Sequence, residues 1–173
     1  GGGGFGGRGG GGGGGGRMQF ALFHTIHLNE DIRIAPGLPK LDLLDGAAIG
    51  NSGGQSRHEV EAQAGYTNNG LGARLSANWR SATRVDGALG TANSTLKFGD
   101  LATADLRLFV NFTQMPELIR DYPLLRGSRL TLAVTNILDS KQDVRDASGA
   151  VPISYLPDRI DPLGRRVMVS FRK

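Results

Sequence analysis

The sequence contains no cysteine, which excludes a disulfide framework, a thiolate metal site and a cysteine nucleophile. It has no run of about 18 consecutive apolar residues, so it predicts no transmembrane helix. The formal net charge is only +4 and acidic residues alternate with basic ones, so no nucleic-acid-binding stripe stands out. Membrane-spanning β-strands are compatible with these absences, because each needs only about 9 to 11 residues and has a weak hydropathy signal.

Glycine is concentrated at the start of the chain, where residues 1–17 hold fourteen of the 28 glycines, together with Phe5, Arg8 and Arg17. Glycine loses the most conformational freedom on folding and offers no apolar surface, so this tract predicts a flexible linker or turn. The functional alternative is an RGG-like nucleic-acid segment, which only two arginines and one aromatic ring would support. We therefore divide the chain into a linker at 1–17 and a folded part at 18–173.

The folded part alternates between apolar and polar side chains, which is typical of β-strands with two different faces. The clearest example is 57–80, where two alternating runs flank the turn sequence Asn68-Asn69-Gly70. Asn-Gly is a strong hairpin signal because both residues tolerate positive φ. Further alternating runs bring the predicted number of strands to about six: 20–28, 102–113, 129–135 and 166–172.

The predicted connections between these strands are unequal in length. Thr67–Gly70 is minimal and 114–127 is intermediate. The other three are long, polar and rich in Gly, Pro and Asp: 30–56, 85–95 and 139–164. If the strands run up and down in chain order, the long connections all lie at one end of the sheet. Outer-membrane barrels have this asymmetry, with long extracellular loops and short periplasmic turns.

Alternation by itself is also compatible with a soluble antiparallel sheet, because one face of such a sheet is solvated. Three features favour a membrane barrel. The predicted strands exceed the usual length of about five or six residues. Tyr66 and Trp79 lie near opposite ends of the hairpin's apolar face, where aromatic girdles occur. The polar face carries charges that suit a water-filled lumen, namely Glu59, Glu61, Arg74, Arg80, Asp105 and Arg107.

Two motifs in the last part of the sequence resemble the closing strands of TonB-dependent outer-membrane receptors. Residues 130–139, LTLAVTNILD, are similar to the family's penultimate strand, in which alternating apolar residues precede Asn, an apolar pair and Asp. Residues 163–171, LGRRVMVSF, resemble its last strand, which Gly-Arg opens and an aromatic residue ends. The loop between them, with Tyr155 and Pro157, also suits the family. The resemblance is good over residues 129–173.

This resemblance implies an all-β fold of about six antiparallel transmembrane β-barrel strands, a partial barrel with long extracellular loops. It implies a location in the bacterial outer membrane, contact with its lipid, and uptake of a siderophore, vitamin or glycan-type ligand. Energy would come from the TonB system through an N-terminal part that this chain lacks. The chain does not begin with Met and no signal peptide opens it, so we expect the tail of a longer protein.

Two other functions stay open on the residues alone. One is a soluble antiparallel β-module that binds a partner behind its glycine linker, with nucleic acid as a less favoured partner. The other is a smaller porin-like channel. Detergent dependence separates the soluble module from the membrane protein, and conductance across planar bilayers would reveal a channel.

The residues predict no catalytic, cofactor-binding or metal site, so we expect the protein not to be an enzyme. The sequence has neither a G-x-S-x-G nucleophile elbow nor a Gly-Lys-Ser/Thr phosphate loop after the glycine tract. His24 and His27 are three residues apart, which places them on opposite faces of a strand, where they cannot chelate one ion together. His58 is the third histidine.

Two groups of acidic residues could in principle form a catalytic pair or a cation site. Glu59 and Glu61 share a strand face about 7 Å apart, a separation within the range of paired glycosidase carboxylates. We favour an interpretation as two lumen-facing charges beside Arg74 or Arg80 of the neighbouring strand. The segment 139–146, DSKQDVRD, has no glycine at a calcium-loop position and predicts a solvated loop. The predicted outer loop offers four candidates for ligand contact: Arg145, Tyr155, Asp158 and Arg159.

Overall fold

Six long antiparallel strands form the main sheet of the protein. The structure is a computed structural model that describes residues 15–87 and 95–173. The strands of the main sheet follow one another in chain order from edge to edge. The predicted all-β antiparallel fold and the predicted number of main strands are therefore confirmed. The six strands are β1 (Arg17–Ile26), β4 (His58–Asn68), β5 (Leu71–Arg80), β8 (Leu101–Asn111), β9 (Arg129–Thr135) and β11 (Arg166–Arg172).

The predicted hairpin is formed by β4 and β5, which pair from Glu59 opposite Arg80 to Asn68 opposite Leu71. Asn69 and Gly70 make the turn with φ of 45° and 83°. Positive φ at both central residues is the requirement of a tight hairpin turn whose twist matches that of the strands. The Asn-Gly signal therefore located this turn correctly.

The long connections contain five short strands that the sequence did not predict. They are β2 (Asp31–Ile32), β3 (Leu41–Asp42), β6 (Thr83–Val85), β7 (Leu96–Phe98) and β10 (Val144–Arg145). β2 pairs with β3, and β7 pairs with β6 on one side and β10 on the other. Segments of two or three residues are too short to display a period of two, so alternation could not find them. Of the predicted connection 85–95, residues 88–94 lie outside the described residues, as do residues 1–14 of the predicted linker.

The connections divide the main sheet into two different ends. Residues 27–57, 81–100 and 136–165 connect strands at one end, called here the loop end. Residues 69–70 and 112–128 connect them at the other, called the turn end. The asymmetry expected from the connection lengths is therefore present.

Two short helices interrupt the connections. They are α1 (Pro116–Asp121) at the turn end and α2 (Pro157–Ile160) at the loop end. Each begins with proline, which fits the first helical position because its missing N–H has no intrahelical partner there. Neither has the length or the apolar content that crossing a bilayer would take.

The apolar interior of the protein is very small. Among the described residues, only Phe98 and Val144 are buried apolar side chains, with 4% and 0% of their surface exposed. Both belong to the loop connections. No second layer of the described chain packs on the main sheet, so its apolar face has no interior to seal. A soluble sheet of this length would normally bury one face against helices or a second sheet.

The turn between β4 and β5 can be tested with Gly70→Ala. An alanine Cβ at position 70 would meet the Asn111 carbonyl oxygen at 2.5 Å, in addition to the strain of a positive φ. Gly127→Ala is the matched control, because Gly127 has φ of 75° with nothing within 4 Å of an added Cβ. We expect the control to lose about 1 kcal/mol of unfolding free energy and Gly70→Ala about 2 kcal/mol or more. Urea unfolding measures both, and equal losses would contradict the predicted contact.

Candidate functional site

One face of the main sheet, called here the apolar face, is apolar across all six strands. The strand register places Phe20, Ala64, Leu75, Leu106, Val134 and Val167 in one continuous row. The neighbouring row toward the turn end is Met18, Tyr66, Ala73, Leu108, Leu132 and Val169. These side chains are not covered: Phe20 is 67% exposed and Val169 is 68% exposed. The face therefore presents a wide apolar surface to whatever surrounds the protein.

Aromatic side chains lie toward both ends of this face. Tyr66 is opposite Ala73, and Trp79 is opposite Val60. Six residues of β5 separate these two levels, which is about 20 Å at the usual rise per residue. Trp79 lies toward the loop end and its indole Nε1 donates a hydrogen bond to Asp100 Oδ2 at 3.2 Å. The predicted positions of the two aromatic residues along the hairpin are confirmed.

The opposite face, called here the polar face, carries every charged side chain of the six strands. Because side chains alternate along a strand, the register fixes this assignment. Its loop-end half contains the acidic residues Glu59 and Glu61, and its turn-end half is basic. No charged residue of the six strands lies on the apolar face. The charged residues are Arg17, Glu59, Glu61, Arg74, Arg80, Asp105, Arg107, Arg129, Arg166 and Arg172.

The loop-end half of the polar face holds an open depression of about 510 Å³. Its lining includes Phe23, Glu59, Glu61 and Arg80. Acidic, basic and aromatic groups thus share one open space. This mixture of groups can bind a polar ligand by several weak contacts. Within the described lining of the depression, no nucleophilic side chain is hydrogen-bonded to a base.

Glu59 lies beside Arg80 of the neighbouring strand, as the sequence predicted. Its Oε1 accepts a hydrogen bond from Gln55 Nε2 at 3.0 Å and lies 3.9 Å from His27 Nε2. Arg80 Nη2 donates to Gln142 Oε1 at 2.8 Å. Glu59 and Arg80 are thus neighbours in the sheet, and each has a hydrogen-bond partner from the long connections.

The three long connections are joined into one loop layer at the loop end. β6 and β7 come from one connection, β10 from another, and Gly46 of the third forms a bridge with Val85. Phe98 packs edge-on against Tyr155, with ring centroids 5.5 Å apart. Arg84 forms ion pairs with Asp45 at 2.8 Å and Asp86 at 3.2 Å. The loop layer is thus a folded unit with its own small core.

The four loop candidates for ligand contact have different environments. Tyr155 packs against Phe98 in the core of the loop layer. Arg145 Nε donates to Asp143 Oδ2 at 2.8 Å, and Asp158 accepts from Lys141 Nζ at 2.5 Å. Arg159 lies in α2 and is exposed. Three of the four therefore serve the loop's own structure, and the structure does not bring all four together.

The Asn-Ile-Leu-Asp segment after β9 closes the turn out of the sheet. Asn136 and Asp139 both have positive φ, 52° and 53°. The Asn136 side chain donates to the Ser140 carbonyl oxygen at 2.9 Å and accepts from the Ser140 N–H at 3.0 Å. Asp139 Oδ1 accepts from the Arg165 N–H at 2.9 Å. A Cβ at Gly164 would meet the same oxygen at 2.6 Å, so the spacing needs glycine there. The two motifs therefore join the end of β9 to the start of β11.

The segment 139–146 uses its oxygens within the loop. Asp146 Oδ1 accepts from the Ser148 N–H, the Ser148 hydroxyl and the Ala150 N–H at 2.9, 2.6 and 3.0 Å. The hydrogen bond from the Ser148 side chain is the main cause that lowers the pKa of Asp146. No group of three or more His, Cys, Asp or Glu side chains is placed to hold a metal ion in the described parts of the chain.

The three histidines form two separate groups. His24 Nε2 lies 3.3 Å from His58 Nδ1 on the apolar face. His27 follows the end of β1, and its Nδ1 lies 3.4 Å from Glu30 Oε2. The sequence missed the His24–His58 pair, because the long connection between β1 and β4 leaves their register open. The alternation along each strand could only show that His24 and His58 both lie on the apolar face.

Comparisons with protein-family models, curated proteins and solved structures find no match for this chain. Function must therefore be inferred from the two faces of the main sheet, the loop layer and the contacts of the closing motifs.

The ion pair between Lys141 and Asp158 predicts how the loop layer responds to pH. The hydrogen bond from Lys141 lowers the pKa of Asp158, and the hydrogen bond to Asp158 raises the pKa of Lys141. Because the pKa of Asp158 is lowered, the ion pair stabilises the folded loop layer at pH values above the carboxyl pKa of the unfolded chain, about 3.9. This stabilisation is lost as the pH falls through the pKa of Asp158 in the folded protein. Because the pKa of Lys141 is raised, the same stabilisation is present below the lysine pKa of the unfolded chain, about 10.4. It is lost as the pH rises through the pKa of Lys141 in the folded protein.

We therefore expect slow hydrogen exchange in residues 139–165 between about pH 4 and pH 10, after correction for the intrinsic rate, and faster exchange on either side. Asp158→Asn should flatten the acid limb, whereas Asp45→Asn, in a different connection, should leave it unchanged in these residues. Asp146, whose pKa is also lowered, should leave a smaller acid limb in this variant. An acid limb in Asp158→Asn as large as that of the wild type would refute the assignment.

Proposed function

We propose that this chain forms closing strands of a bacterial outer-membrane β-barrel of the TonB-dependent receptor type. In this proposal the apolar face meets lipid, the polar face lines the lumen and the loop layer lies outside the cell. The barrel takes up a scarce or large ligand, and the TonB system supplies the energy through a part of the protein outside this chain. The uncovered apolar face is the observation that carries the proposal.

The size of the apolar face argues against a free surface in water. Five spacings between strands give a width of about 24 Å, and eight residue steps along β5 give a height of about 27 Å. The projected area is roughly 650 Å², just above the range for the largest apolar patch on a typical soluble monomer, about 300–600 Å². Contact with acyl chains removes this surface from water without requiring a second protein layer.

The height of the face also suits a bilayer. Strands of outer-membrane barrels are tilted by about 35–45° and carry an apolar band about 25 Å tall. At a tilt of about 40°, a 27 Å strand segment spans about 21 Å, and Tyr66 and Trp79 fall toward its two borders. Aromatic side chains are enriched at such borders because one end of the ring is apolar and the other is polar.

The edges of the sheet support a barrel in which further strands take part. β1 runs toward the loop end and β11 runs away from it, so the two outer strands are antiparallel to each other. A cylinder with an even number of antiparallel strands needs this relation at every junction. Lipid does not tolerate unpaired strand edges, because their N–H and C=O groups would have no partner.

The loop layer and the closing motifs give additional support. The long connections lie together at one end, as extracellular loops do in this class of barrel. Asp139 ties the exit of β9 to the start of β11, which supplies a physical reason for the Asn-Ile-Leu-Asp and Gly-Arg motifs. The depression beside Glu59 and Arg80 opens just below these loops and is available to a polar ligand.

Trp79 is the only tryptophan of the chain and can report on lipid contact. We expect brominated lipids to quench its fluorescence when the complete barrel that contains these strands, with any tryptophan outside the chain replaced by phenylalanine, is folded into vesicles. Quenching should be strongest with bromine near the headgroups. Two relocated probes in a Trp79→Phe background provide controls: Leu75→Trp should be quenched by bromine deep in the acyl chains, and Asn78→Trp by aqueous iodide only. Quenching of all three positions by iodide alone would indicate the soluble β-module.

A charge introduced on each face tests the same orientation independently. Leu75→Arg puts a cation on the lipid side, which costs about 2–4 kcal/mol near the middle of a bilayer. Ser76→Arg, its neighbour on the polar face, should cost less than about 0.5 kcal/mol. Refolding of the complete barrel into vesicles, followed by a heat-modifiable shift on gels, measures insertion. If Leu75→Arg inserts as well as Ser76→Arg, the lipid-facing assignment is wrong.

A further inference from the structure

The turn-end half of the polar face carries five arginines, called here the arginine patch: Arg17, Arg74, Arg107, Arg129 and Arg172. All five side chains are exposed. The carboxylates of this face, Glu59, Glu61 and Asp105, lie in its middle and its loop-end half. The patch is therefore a surface of one charge sign, and it does not depend on what covers the apolar face.

Two pairs of these arginines stand directly opposite each other on neighbouring strands. Arg74 is opposite Arg107 between β5 and β8, and Arg172 is opposite Arg129 between β11 and β9. Cβ atoms of directly opposed residues are only about 4.5–5.5 Å apart, and like charges there destabilise the sheet. A sheet that places two such pairs on one face has a local excess of positive charge.

No carboxylate of the described chain neutralises the patch. None of the five arginines takes part in an ion pair within residues 15–87 and 95–173. Asp105, the nearest acidic residue along β8, accepts the Asn136 N–H at 2.8 Å. In the turn-end connection, Asp121 lies 3.7 Å from Arg120 Nε. The chain thus directs these carboxylates to other partners.

The surface around Arg74 is open to solvent. Depressions of about 240 and 250 Å³ lie on its two sides. The first is lined by Gly65, opposite Arg74, and by Thr67; the second is lined by Ser76, Arg107 and Asp105. The Gln19 side chain lies over Gly65, and the hydroxyls of Thr67 and Ser76 add neutral donors. An anion can therefore reach both opposed arginines from the water side.

Phe109 lies within the patch, between the level of the Arg74–Arg107 pair and that of the Arg129–Arg172 pair. A Cβ at Gly72 would collide with the Phe109 ring, so the ring lies over that glycine. The Arg129 guanidinium lies over the same ring, with its Cζ 4.4 Å from the centroid. This cation–π contact holds one guanidinium of the second pair in place, and it leaves its N–H groups free to donate.

We propose that the arginine patch is a binding site for a multivalent oxyanion, a ligand that carries phosphate or carboxylate groups, with Arg74 and Arg107 at its centre. The planar guanidinium group offers paired N–H donors that match both kinds of oxyanion in a bidentate manner. Two adjacent guanidinium groups favour a ligand with two or more negative charges, because one bound charge would leave the pair partly repelled. The bound anion removes the repulsion that the sheet otherwise contains.

The test uses the full chain in the medium that keeps it monodisperse, detergent micelles or plain buffer. The melting temperature is followed by circular dichroism in sodium chloride, inorganic pyrophosphate and citrate at equal ionic strength. Salt screening acts equally in all three, so binding appears as an increment over sodium chloride. At about 100 times the dissociation constant, we expect an increment of roughly 5–10 °C. Pyrophosphate and citrate distinguish phosphate from carboxylate recognition.

The variant Arg74→Gln/Arg107→Gln separates binding from a structural role. It should melt at or above the wild-type temperature in sodium chloride, because one repelling pair is gone, and it should lose the increment from either anion. Arg84→Gln is the matched control, since Arg84 is paired with Asp45 and Asp86 in the loop layer, and it should keep the full increment.

Three results would overturn the proposal. They are equal melting temperatures in all three salts, an increment that survives in the double variant, or a double variant that melts below wild type in sodium chloride. The melting temperature can be measured in detergent micelles or in plain buffer. A protein that proves to be soluble therefore still tests the anion site, and failure of the membrane assignment is distinguishable from failure of the anion site.

Discussion

The register of the six-stranded sheet is the constraint on which the other features depend. Side chains alternate along each strand, so one register decides the facing of every residue at once. In the observed register the rows through Phe20 and Met18 are apolar on every strand, and all strand charges lie behind them. A shift of one residue in any strand would place charges into the apolar face. The surroundings must then differ on the two sides of the sheet.

The main sheet has two very different faces, and the described residues provide almost no apolar core. Phe98 and Val144 together bury too little surface to offset the ordering of more than a hundred residues, because each fixed residue costs about 1–2 kcal/mol of backbone entropy. Backbone hydrogen bonds between strands satisfy the polar groups but contribute little net stability in water. In the outer-membrane setting that we propose, lipid would supply the missing burial, since the apolar face loses its water there and the hydrogen bonds between strands become indispensable.

The polar face combines two different electrostatic regions. Near the loop layer, Glu59, His27 and Gln55 form a mixed network in which acid and base are close together. Toward the turn end, arginine stands opposite arginine, and stability is lower than an alternating charge pattern would allow. A protein that keeps such a region in a sheet otherwise well paired has the means to attract and hold negative charge there. The two regions lie along one face, with Asp105 and Arg166 between them.

Sequence alone determined the all-β class, the six main strands, the Asn69-Gly70 turn and the unequal ends, because each of these is encoded in local alternation or local turn chemistry. It also identified Asn136, Asp139 and Gly164 as a motif. Only the tertiary structure decided which strands' residues meet: that His24 lies beside His58, that Glu59 is held by Gln55 and that Arg74 faces Arg107. The short strands of the loop layer likewise depend on contacts between distant connections. Such pairings are set by register across long connections, which local sequence does not encode.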